Sequence, residues 1–190
     1  QMARALDDLW TSFDATIADL KGLKRGRLRV ALVTTAKYFL PRLVGDFCRR
    51  HPDVHVELEV ADREHILARM RANQDDLYVL LYPPEDVQVE THPLVDNELV
   101  VIAPLAHWAL GRRVELAELC GERFILRERG SGTRLACDAH FAYHGFVPEV
   151  RLALGSNEAI KQAVAGGLGL AVISHHALAA RPADAEGGAR

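Results

Sequence analysis

Three short polar stretches carry the residue types for ligand chemistry: Thr34-Thr35, Gly130-Ser131-Gly132-Thr133-Arg134 and Gly155-Ser156-Asn157. Each follows an apolar run that reads as a strand and precedes a segment with helical spacing. Hydroxyl and amide side chains in such places cap helices. The first helical turn also offers free N–H groups and the positive end of the helix dipole, which suit an anion. Cations lie in or beside these stretches: Arg129, Arg134 and Lys161. Arginine grips phosphate or carboxylate with two parallel bonds, whereas lysine acts as a point charge. Taken singly, Ser156 and Thr133 read first as plain caps, and Arg134 and Lys161 as solvated charges, the commoner uses of such residues. The conjunction of three such ends points to a small phosphorylated or carboxylated ligand. Tyr82 and Pro104, at strand ends, are softer candidates for the same cleft.

Other chemistry finds less support. GSGTRL (130–135) sits between strand and helix as a dinucleotide fingerprint would, but Leu135 stands where the third glycine belongs. Leu154 and Gly155 end the next strand, where that fingerprint requires an acid. Nicotinamide catalysis is therefore set aside, while a nicotinamide nucleotide held as a ligand stays open. His140 and His144 are four apart, with no glutamate after His140 in the zinc-protease position. There is no G-x-S-x-G elbow, and no acidic pair with an acid–base context. No catalytic residue and no metal site is predicted, and the chain is expected not to be an enzyme.

The elements that must hold these stretches follow in order. RLRVALV (27–33) reads as a strand, followed by a helix over Lys37–Arg50 with Pro41 in its first turn. VHVELEV (54–60) alternates as a strand, and Asp62 caps a helix over Arg63–Arg71. DDLYVLLYPP (75–84) is predicted as a third strand. NELVVIA (97–103) is the next, taken as the first crossing between two subdomains, with VELAELCG (114–121) a short helix. Glu122–Arg127, a helix to about His144, EVRLAL (149–154), a helix ended by Gly166-Gly167, and LGLAVIS (168–174) complete the series. The last is nearly all apolar, as a strand buried on both faces should be. Strand–helix–strand order implies parallel strands with right-handed crossovers. The composition, 49% hydrophobic and 26% charged over 190 residues, is that of a soluble globular chain. A net charge of −3 provides no overall basic field for nucleic acid. Three scattered cysteines favour a reducing compartment, and a cytoplasmic location is expected.

The first 23 residues hold a different pattern. Leu6, Leu9, Phe13, Leu20 and Leu23, with Met2 and Thr16, recur in steps of four and three. This is a heptad seam, read as a dimerisation helix.

GRLRVA (26–31), RANQDDLYVLLYPP (71–84) and GSNEAIKQAVAGGLGL (155–170), in this order along the chain, resemble the effector-binding domain of LysR-type transcriptional regulators. The wording is most similar to the Calvin-cycle (RuBisCO operon) branch, CbbR. The resemblance implies an α/β fold of two Rossmann-like subdomains, as in type 2 periplasmic binding proteins, preceded by a long dimerisation helix. The expected boundaries are 1–26 for the linker helix, 27–101 and 102–174 for the two subdomains, and 175–190 for a truncated tail. It implies an effector pocket between the subdomains, lined by Thr34, Thr35, Ser131, Gly132, Thr133, Ser156 and Asn157. It further implies a homodimer or homotetramer on promoter DNA, bound through a winged helix absent from this sequence. The branch implies sugar phosphates such as ribulose bisphosphate, phosphoenolpyruvate or NADPH as effectors, with no resident cofactor and no membrane partner. The alternative is a transport-type solute-binding protein of the same fold, from which the heptad helix distinguishes it.

Overall fold

The computed structural model describes residues 25–178. The proposed dimerisation helix, with Leu6, Leu9, Phe13, Leu20 and Leu23, lies outside them, as do the last twelve residues. The chain forms two compact units that meet in sequence at Asn97 and Glu98.

The first unit starts from β1 (Gly26–Val33), whose alternation sends Leu28, Val30 and Leu32 to one face. A 3-10 turn (Ala36–Tyr38) and α1 (Leu40–Arg50) lead to β2 (Val54–Ala61). Then α2 (Arg63–Arg71) leads to β3 (Leu77–Val79). The sheet order is β2-β1-β3, all parallel, with Val30 opposite both Leu58 and Leu77. Because β2 and β3 flank β1 on opposite sides, right-handed crossovers place α1 and α2 on opposite faces. Leu40, Leu43, Val44 and Phe47 of α1 pack on Leu28, Val30 and Leu32. Full burial of such side chains contributes about 1.5–3 kcal/mol each. Ile66, Leu67 and Met70 are the buried residues of α2, which packs against β1. Asp62 caps α2 as its position predicts, accepting the His65 N–H at 2.8 Å.

Two expectations are corrected here. The helix over Lys37–Arg50 is broken at Phe39 (φ −125°, ψ −37°), and α1 starts only at Leu40. Pro41 has no N–H to bond the Lys37 carbonyl, and its ring crowds that carbonyl, so one continuous helix is barred. The strand expected over 75–84 shrinks to Leu77–Val79. Tyr82 turns to φ +54°, and Arg63 draws the Leu81 and Tyr82 carbonyls (3.5 and 2.5 Å) away from the ladder.

At the start of β3, Asp76 accepts the Arg29 backbone N–H at 2.8 Å and Arg29 Nη2 at 3.1 Å. The Arg29 guanidinium bond holds the Asp76 carboxyl below its ordinary range, with burial opposing. A carboxyl whose pKa falls on folding adds stability above its unfolded value, about 3.9. That contribution vanishes as pH falls through the lower folded value. Asp76→Asn should therefore lose stability at neutral pH and show a flatter acid limb in urea unfolding between about pH 6 and 2. Parallel wild-type and variant curves would refute this.

The second unit repeats the strand–helix–strand–helix–strand order after one additional strand. β4 (Leu99–Ile102) is followed by a 3-10 turn (Leu116–Leu119), β5 (Arg123–Arg127), α3 (Gly132–Tyr143) and β6 (Glu149–Leu154). Then come α4 (Asn157–Ala165) and β7 (Leu170–Ser174). The sheet order is β4-β7-β5-β6, with β5 parallel to both neighbours and β4 antiparallel to β7. Leu99–Ile102 thus belongs wholly to this sheet, paired with Ala171–Ser174. Every residue of β7 is buried, as its apolar run predicts. One face packs Phe124, Leu126, Leu170 and Val172 against Cys137 and Phe141 of α3. Ile160 and Val164 are the buried apolar residues of α4. Burial pushes the Cys137 thiol up to about 12, so it is a packing group rather than a nucleophile. Gly167 (φ +78°) ends α4, where Leu168 N–H bonds Ala163 O and Gly167 N–H bonds Val164 O.

Candidate effector site

In the first unit the chain leaves β1 at Thr34 and Thr35. Thr35 is buried and stands at the N-cap of the 3-10 turn, and its hydroxyl makes no capping bond. The helix N-terminus expected directly behind these threonines lies instead at Leu40. Thr34 and Thr35 therefore offer hydroxyl groups at the end of a parallel strand without a full helix end beside them. Tyr82 is half-exposed and held at positive φ, a conformation that a bulky residue adopts only under constraint. The Arg63 bond to its carbonyl is the visible part of that constraint.

The second unit gathers more. At the C-terminal end of β5 the chain turns through Arg129 and Gly130 into α3. Ser131, the N-cap, accepts the Arg134 N–H at 3.1 Å. Ser131 and Thr133 are both buried, although they begin a helix that follows a turn. Past β6, Ser156 caps α4 by accepting the Ala159 N–H at 3.4 Å and donates to Glu158 Oε2 at 3.1 Å. Asn157, the first residue of α4, is 3% exposed. Ser174, at the end of β7, is fully buried and accepts the His176 N–H.

Two of the three predicted ends are tied together by a residue that the sequence reading passed over. Arg127, the last residue of β5, is 2% exposed. It donates from Nε and Nη2 to Glu128 at 2.7 Å each, and from Nη1 to Asn157 Oδ1 at 3.2 Å. Arg134 Nη1 donates in turn to the Arg127 carbonyl at 3.1 Å, while its Nε bonds Asp138. The signal was present: an arginine closing the otherwise apolar run FIL is costly to bury unless it is paired.

The remaining predicted residues are placed as follows. Arg129 is exposed in the turn. Lys161 Nζ donates to the Ala177 carbonyl at 3.0 Å, fastening α4 to the segment after β7. Pro104 follows β4, and its carbonyl accepts the His107 N–H at 2.9 Å. The loop after it is anchored where Trp108 Nε1 bonds Glu122 Oε1 at 2.7 Å. Among the described residues no three His, Cys, Asp or Glu side chains gather as a metal site. The chemistry on offer is thus anion binding: buried hydroxyls and two helix starts at strand ends, braced by the buried Arg127–Glu128 ion pair.

Comparisons with known proteins identify the family and the fold. Residues 21–187 match the LysR substrate binding domain family. The chain is 48% identical over 163 residues to a RuBisCO operon transcriptional regulator of Acidithiobacillus ferrooxidans, covering 85% of this chain and 53% of that protein. It is 44% identical over 164 residues to the HTH-type transcriptional activator CmpR of a Synechocystis strain, covering 86% and 54%. The chain thus spans about half the length of the curated relatives it matches. Among solved structures, it is similar to the regulatory domain of Synechocystis CcmR in complex with 2-PG. That likeness has a TM-score of 0.79 and 49% identity, over 85% of this chain and 78% of the other. The effector binding domain of QuiR with shikimate shares the fold at 21% identity, with a TM-score of 0.72 over 79% and 74% of the two chains. The two α/β units and these matches together lead to one conclusion: the chain belongs to the LysR substrate binding domain family.

Proposed function

We propose that this domain senses a small phosphorylated or carboxylated metabolite for a regulator of RuBisCO-operon (Calvin-cycle) genes. The observation that carries the reading is the 48% identity over 163 residues to a RuBisCO operon regulator. The proposed effector contacts are Thr34, Thr35 and Tyr82 in the first unit. In the second they are Pro104, Arg129, Ser131, Gly132, Thr133, Arg134, Ser156, Asn157 and Lys161. The domain binds rather than catalyses in this reading. The whole regulator is proposed to be cytoplasmic, to self-associate as a homodimer or homotetramer, and to meet promoter DNA through a winged helix outside this sequence. No helix among the described residues is long and apolar enough to cross a membrane. An effector changes the regulator's state only through unequal affinity for its conformations.

2-PG, ribulose bisphosphate, phosphoenolpyruvate and NADPH are the compounds to test first, by calorimetric titration of this chain. One of them should bind saturably. Ser156→Ala and Thr35→Ala should each weaken that binding by roughly 0.5–1.5 kcal/mol, about 2–10-fold. Ser156→Ala should also cost about 1 kcal/mol of stability through the lost cap, and Thr35→Ala should not, since its hydroxyl caps nothing. Unchanged affinity in both variants would remove these hydroxyls from the site. No uptake of any of the four would move the effector to another chemical class.

A further inference from the structure

Arg127 is the only cationic side chain in the buried class among the described residues. A guanidinium taken out of water must be paired and hydrogen-bonded. Its fork engages both Glu128 oxygens at 2.7 Å and Asn157 Oδ1 at 3.2 Å. The backbone around it is tied as well. Arg134 Nη1 reaches the Arg127 carbonyl at 3.1 Å, and the Ser131 N–H reaches the Glu128 carbonyl at 3.3 Å. The Glu128 N–H reaches the Leu154 carbonyl at 3.2 Å, which holds the end of β6. The end of β5 is therefore fastened to the first turn of α3, the first residue of α4 and the strand that leads into α4.

We infer that Arg127 is a positioning residue for the effector. It holds the N-terminus of α4 in register with the Ser131 turn, its charge matched by the Glu128 carboxylate, without itself touching the ligand. The inference rests on the anion-binding reading above for its ligand arm, and on geometry alone for its positioning arm. Planarity is the reason for an arginine here. One guanidinium engages Glu128 through two N–H groups and still presents a third to Asn157. A lysine at the same place keeps the charge but has no rigid fork for both partners.

The test pairs amide hydrogen exchange of the free chain with titration by 2-PG and inorganic phosphate, on Arg127→Gln, Arg127→Lys and Asn157→Ala. Asn157→Ala should speed exchange at Ala159 and Ile160 by about tenfold and leave Arg134 and Leu135 unchanged. Arg127→Gln should speed exchange at both pairs. Affinity for 2-PG should fall by about tenfold in Arg127→Gln, with Arg127→Lys recovering part of it, and Asn157→Ala should add little on the Arg127→Gln background. Unchanged exchange at Ala159 and Ile160 in Asn157→Ala and Arg127→Lys would overturn the positioning role. So would additive affinity losses, which would make Arg127 and Asn157 independent ligand contacts. If the wild-type chain takes up neither anion, 2-PG is ruled out as its effector, and the exchange pattern still decides whether Arg127 sets the register. If Arg127→Gln does not fold, Asn157→Ala and Arg127→Lys carry both arms.

Discussion

Gly169→Ala is expected to destabilise the second unit by roughly 2–5 kcal/mol, combining backbone strain with overpacking. Gly169 lies between α4 and β7 with φ +147°, a conformation that L side chains rarely adopt. A Cβ built there would stand 2.3 Å from the Arg123 carbonyl oxygen and 3.0 Å from its carbon. Both are backbone atoms of the neighbouring strand, so no rotamer change relieves the clash. The next residue, Leu170, pairs with Phe124 on β5. Relief therefore has to come from parting the two strands whose ends carry Arg127 and Ser174. Hydrogen exchange at Phe124, Ile125 and Leu126 should rise sharply in the variant, with a matching fall in the urea midpoint. A midpoint within about 0.5 kcal/mol of wild type, the range of an ordinary surface change, would contradict the close approach.

Phe124→Ala should cost about 3–5 kcal/mol. The ring is fully buried. It meets Phe141 edge-on (centroids 5.8 Å, 70°) and Phe146 likewise (5.7 Å, 74°), and those two rings stand 5.2 Å apart. Truncation removes the centre of a three-ring cluster and leaves a cavity that cannot collapse without moving α3. Phe124→Leu keeps much of the volume and should cost clearly less. Urea unfolding with an unchanged slope would establish both values as stability effects. Equal costs for Leu and Ala would show that edge-on ring contacts, not filled volume, dominate the site. The consequence for function is local: Phe124 lies three residues before Arg127 on one strand, so loosening it also loosens the residue that holds Asn157 and Arg134.

Local chemistry made much of this fold legible. The caps Asp62, Ser131 and Ser156 each accept the N–H three residues on, because a short polar side chain before an apolar helical pattern has few better uses. The period-2 and all-apolar runs located the strands, since sheet burial imposes those patterns wherever the strand sits. One error came from a proline's effect one turn back, the other where a longer-range contact overrode local preference. Pro41 divided a predicted helix because its effect is on the carbonyl four residues back. The segment after Val79 left the sheet because Arg63, on another element, takes its carbonyls.

The α/β class, the element order, the polar strand ends and the resemblance to LysR-type effector domains can all be read from the residues in line. These depend on short-range pattern and on residue identity. Only the tertiary structure decided which polar residues meet. Arg127 and Asn157 are thirty positions apart, and nothing in either neighbourhood names the other. Likewise Lys161 and Arg134, read as cations facing a ligand, have carbonyl partners at Ala177 and Arg127 that the chain's return path supplies. A buried charge must find its partner within the fold, and that partner is chosen by the path of the backbone rather than by spacing along it.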